Sequence, residues 1–137
     1  MKLLINLTII AILFIVGSIS AQNNTITATV INASSDAGKV SYALYTKDTF
    51  MKKPLQAKNS KIKGGKSIVS FENVPEGEYA IICYHDKNDN DRMDFEPSGM
   101  PLEDYGASNN VMRFGPPQYN DAKFVVSDKD VSLEIKF

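Results

Sequence analysis

The sequence has no tryptophan, a single cysteine and a single histidine. One thiol, Cys83, cannot close an intramolecular disulfide. Its place in the apolar run AIICY marks it as a small buried hydrophobe rather than a reactive group. One imidazole, His85, cannot build the paired-histidine sites common for zinc, and no serine-nucleophile motif occurs. Internal repeats, low-complexity tracts and convincing amphipathic helices are also missing, which excludes solenoids, bundles and coiled coils. A net charge of -1 names no partner, and no aromatic interleaving or binding motif points to nucleic acid. A domain with no disulfide must be held by its core, by a metal, or by both.

The 137 residues suffice for one domain with a proper core. The first residues have a basic start at Lys2, an apolar run from Leu3 to Val16, and small residues at Gly17, Ser18, Ser20 and Ala21. This is the layout of a secretory signal peptide, so residues 1–21 are expected to be removed after Ser20 or Ala21. Asn6 and Thr8 interrupt a run that barely reaches the ~20 apolar residues of a spanning helix, so no stable membrane span is expected after cleavage. The expectation is a periplasmic or extracellular, monomeric domain over residues 22–137.

That domain reads as short strands separated by turns. Thr25 to Ile31 and Lys39 to Tyr45 alternate apolar and polar residues with a period of two. Thr46 to Gly65 reads as a loop or helical turn followed by a strand that ends at Gly64-Gly65. Lys66 to Glu72 pairs back, and Glu78 to His85, apolar on both faces, is the central strand. Val111 to Phe114 is expected to resume a short strand, and Ala122 to Val126 with Val131 to Phe137 to form a closing hairpin. Lysines at 52, 53, 58, 61, 63 and 66, with no acid between Asp48 and Glu72, fit a charge-protected edge strand, and an anionic surface is the alternative. About seven strands with regular turns predict an all-β, single-domain antiparallel sandwich carrying one long polar loop.

That loop, His85 to Asn110, is too long to be an unordered connection in so small a domain. Asp86 to Asp104 holds seven acids and two bases, a local charge of -5 that a cation would relieve. Asp86, Asn88 and Asn90 occupy the first, third and fifth positions of a calcium loop. Arg92 offers its carbonyl, Asp94 takes the ninth position, and Glu103 reaches back for the missing carboxylate. Asp91 stands where glycine is usual and Pro97 where a bidentate glutamate is usual, so a helix-flanked loop is not expected. The competing reading is an Asx-rich loop held by hydrogen bonds alone. No catalytic residue is assigned; the enzymatic alternative is a small hydrolase using Glu103 with His85 or Asp94.

The segments PEGEYAIICYHDKNDNDRMD, GMPLEDYGASNN and FGPPQYNDAKFVV resemble the bacterial secreted family known as domain of unknown function 2141. The shared positions are Asp86, Asn88, Asn90, Asp94, Gly99, Pro101, Glu103, Tyr105, Gly106, Ser108, Asn109, Asn110, Pro116, Pro117, Tyr119 and Ala122. Asp91 and Asp104 depart from it, glycine being usual at both. The resemblance implies an exported sandwich of the transthyretin-like or immunoglobulin-like Greek-key kind, with no established activity. Such modules bind or stabilise, so the expected role is non-enzymatic binding of a protein or glycan at the cell envelope.

Overall fold

The computed structural model describes residues 23–137, so the expected signal segment lies outside the described residues. The strands are β1 (Asn24–Val30), β2 (Lys39–Tyr45), β3 (Gln56–Lys61), β4 (Ser67–Val74), β5 (Gly77–Asp86), β6 (Tyr105–Ala107), β7 (Phe124–Val126) and β8 (Val131–Ile135). One sheet has the order β4-β1-β8, and the other β3-β2-β5-β6 with β7 also on β5. The two sheets form the expected sandwich, although β8 lies parallel to β1 while the other pairings are antiparallel.

Period-two alternation decides which side chains fill the core. Ile26, Ala28 and Val30 of β1, Val40, Tyr42 and Leu44 of β2, and Val69, Phe71 and Val74 of β4 are buried. The central β5 buries Tyr79 to Ile81 and Cys83. Burial pushes the Cys83 thiol well above its ordinary value, against a weak hydrogen bond to the Gly106 carbonyl, consistent with an inert group. Tyr42 ties the layers together: its hydroxyl donates to the Ser67 carbonyl at 2.9 Å and accepts from Val30 N–H at 3.4 Å.

Two expectations require correction. Val111 to Phe114 is not a strand; Tyr105–Ala107 and Phe124–Val126 instead occupy successive stretches of one edge of β5. Nor do the last two strands form a hairpin, since β7 pairs with β5 and β8 with β1, in different sheets. Alternation marks the inward residues but does not choose the neighbouring strand, which explains both misreadings.

The Ser108 hydroxyl, fully buried, fills the gap between β6 and β7. It accepts from Ile81 N–H at 3.0 Å and donates to the Ala122 carbonyl. The open flanks of the sandwich are laced by side chains. Gln56 Nε2 and Lys58 Nζ donate to the Glu72 and Ser70 carbonyls of β4. On the opposite flank, Asn110 accepts from Lys136 N–H and donates to the Glu134 carbonyl, as a neighbouring strand would. A Cβ on Gly106 would stand 2.6 Å from the Lys136 carbonyl oxygen, so only glycine permits β6 to approach β8 this closely.

Candidate functional site

The long loop leaves β5 at Asp86 and folds on two internal carboxylates. Asp86 is fully buried; its Oδ1 accepts from Asn90 N–H at 3.0 Å and its Oδ2 from Asp91 N–H at 2.9 Å. These bonds wind residues 86–91 into a tight turn in which Asp89 (φ 59) and Asp91 (φ 64) adopt left-handed backbone. Asp91 thus takes the conformation that glycine would supply, which a short polar side chain tolerates. Glu103, 7% exposed, accepts from Lys87 N–H at 3.1 Å and Asp94 N–H at 3.2 Å through its two oxygens. It therefore fastens both ends of the first half of the loop. Between Asp94 and Leu102 the chain doubles back, with Glu96 N–H on the Met100 carbonyl and Leu102 N–H on that of Asp94, both within 2.9 Å.

The expected calcium ligands divide into two groups. Asn88, Asn90 and Asp94 converge: Asn88 Nδ2 lies 2.7 Å from Asp94 Oδ2, and Asn90 Nδ2 lies 2.8 Å from the same oxygen. The Asn88 bond first, and then Asn90 and Arg92, hold the Asp94 carboxyl below its ordinary range against partial desolvation. Asp86 and Glu103 instead bind backbone N–H groups, and the Arg92 guanidinium lies 3.4 Å from Asp94. Among the described residues, no three histidine, cysteine or acidic groups converge on a metal-sized centre. The converging donors are two amides and one carboxylate. Turned over, those amides would present oxygens of the kind a hard cation takes, but three donors with one carboxylate are fewer than the roughly six to eight oxygens of a complete calcium site.

The cation that the acids do meet is Lys39, which no feature of the loop sequence suggests. Its ammonium lies 2.6 Å from Asp89, 2.5 Å from Asp91 and 3.7 Å from Asp86. Hydrogen bonds to Asp89 and then Asp91 hold it charged, above the ordinary lysine value. Lys39 reaches them because β2 pairs Lys39 opposite Asp86. Gly38 makes that register possible, and Asp104 braces the same end by accepting from Ser34 Oγ and pairing with Lys87 at 3.1 Å.

The residues of the hydrolase reading do not assemble an accessible acid–base pair. His85 is fully buried, its Nε2–H donating to the Ala37 carbonyl at 2.7 Å and its ring stacked on Phe137. Glu103 borders a cleft of about 350 Å³ beside β6, but His85 does not line it. The shared Ser108-Asn109-Asn110 motif turns out to be architectural. Asn109, at φ 70, donates through Nδ2 to the Asp121 and Lys123 carbonyls, and Asn110 clasps β8.

Residues 28–134 match the family described as "Uncharacterized protein conserved in bacteria (DUF2141)". The chain belongs to this family. Its sandwich and clasped loop are thus the form in which this member carries the family segments. No curated protein matches the chain. Among solved structures, it is similar to one described as "Pilus-presented adhesin, Spy0125 (Cpa)", with 12% identity and a TM-score of 0.29. That similarity covers 87% of this chain but 27% of the adhesin chain. No helix among the described residues is long and apolar enough to cross a membrane.

Proposed function

We propose that this family member is exported to the periplasm or beyond and acts as a non-catalytic module that presents a rigid loop to a protein partner. The basic, apolar and small-residue layout of residues 1–21 supports export. The observation that carries the binding role is the inward use of the loop's polar groups. Asp86, Glu103, Asn109 and Asn110 bind backbone, leaving Phe95, Met100 and Leu102 outward at 56%, 62% and 58% exposure. A loop ordered in advance loses little entropy on binding, and aromatic residues and methionine are enriched at interface centres. The commitment of the Asn109 and Asn110 amides favours a protein over a glycan.

The test is capture from the producing cell's envelope extract, with and without chelator. A partner retained by the parent chain is expected to be lost with Phe95→Ser/Met100→Ser/Leu102→Ser, whose melting temperature stays unchanged. Capture indifferent to those substitutions would end this reading.

Calcium belongs to the same proposal. Asn88, Asn90 and Asp94 would hold it, joined by the Arg92 carbonyl, with Asp86 and Glu103 shaping the loop through backbone N–H groups and not as ligands. The ion would supply charge compensation. Lys39 already gives this to Asp86, Asp89 and Asp91, so affinity is expected to be weak, on the order of 0.1–1 mM. Lys39→Gln should lower the melting temperature in chelator and enlarge the rise on adding calcium. Calorimetry showing no heat with either protein removes the ion from the proposal.

A further inference from the structure

We infer that the flank formed by β3 and β4 is a docking surface for anionic lipid headgroups, with Lys61, Lys63 and Lys66 as the contacting charges and Ile68 as an apolar floor. This surface is separate from the long loop and independent of its reading. β3 contributes no fully buried side chain, and every charged residue from Lys52 to Lys66 is a lysine. Edge protection accounts for Lys58, whose ammonium reaches the Ser70 carbonyl of β4. Lys61, Lys63 and Lys66 are exposed and form no ion pair among the described residues, so their charge is open to a partner beyond any edge protection.

These three lysines surround a shallow concavity of about 310 Å³ that also includes Thr29 and Ile68. Ile68 faces outward from β4 opposite Thr29 and is 58% exposed. The acid beside them, Asp36, accepts from Gly64 and Gly65 N–H of the same turn at 2.8 Å each, and so offsets part of the lysines' charge without forming an ion pair with them. Those bonds, Gly65 first, hold its carboxyl below the ordinary range. The acidic loop leaves β5, which β2 separates from β3 by two strand spacings, roughly 10 Å or about one Debye length at 0.1 M salt.

A cationic rim over an apolar floor matches the boundary between phosphate headgroups and acyl chains. A free anion would gain nothing from Ile68. Nucleic acid would call for stacking aromatics, and the concavity has none. Each lysine near an anionic membrane contributes about a fivefold gain in partition, so three together give on the order of 100-fold.

The experiment is co-sedimentation of the full chain with phosphatidylglycerol vesicles and with phosphatidylcholine vesicles, in chelator. The ratio of the two partitions removes any affinity contributed by apolar residues 3–16. Lys61→Gln/Lys63→Gln/Lys66→Gln should lower that ratio by roughly 100-fold, and the charge-matched Lys47→Gln/Lys129→Gln/Lys136→Gln by less than about tenfold, both with unchanged melting temperature. Equal losses would reduce the effect to net charge and overturn the site. Displacement by inorganic phosphate at the lipid-phosphate concentration would identify a free-anion site and overturn the lipid assignment. Equal binding to both vesicle types would do the same.

Discussion

Gly38→Ala is expected to destabilise the fold by more than about 4 kcal/mol, a large fraction of the 5–15 kcal/mol that holds a typical domain. An added Cβ would stand 1.9 Å from the Asp86 carbonyl oxygen and 2.9 Å from that of Lys87. Both obstacles are backbone, so no rotamer change relieves the clash. The residue also sits at φ 68, where a side chain adds about 1–2 kcal/mol of strain. The turn would have to lift off the base of the loop, breaking the His85 bond to the Ala37 carbonyl and the Lys39–Asp86 register. Thermal unfolding should show a midpoint lowered by on the order of 15 °C or more. A loss under about 1 kcal/mol would mean that the turn does not rest on the loop base.

Asp86→Asn should cost about 2–3 kcal/mol, the range for leaving a buried polar group unsatisfied at a charged acceptor, while Lys39 keeps Asp89 and Asp91 as partners. The substitution preserves shape. Yet it turns one of two buried acceptors into a donor that faces the Asn90 or Asp91 N–H. Denaturant unfolding should therefore shift to a lower midpoint with an unchanged slope. Hydrogen exchange should accelerate first at the Asn90 and Asp91 amides. If both amides remained as protected as in the parent chain, the carboxylate would not be what winds the turn.

The two substitutions act on one assembly from opposite sides. Gly38 lets the β2 edge come close enough for Lys39 to reach the acids, while Asp86 and Glu103 hold the loop in the shape that Lys39 meets. Order in the loop thus rests on the sandwich beneath it.

The sequence by itself determined the sandwich class, most strand positions, the inward residues of β1, β2 and β5, and the internal ordering of the loop. Each follows from local information: a period of two, turn residues at short intervals, and polar side chains spaced to reach nearby backbone. The shared motif marked Gly106, Ser108, Asn109 and Asn110, but it could not say that they close the seam between β5, β7 and β8. Only the tertiary structure decided strand partners, and so separated β7 from β8 and left Val111 to Phe114 outside the sheet. It alone brought Lys39 to Asp89 and Asp91 and left Lys61, Lys63 and Lys66 of the β3–β4 turn without an ion pair among the described residues. Those outcomes depend on which distant edges meet, and alternation along one strand carries no record of the strand that will lie beside it.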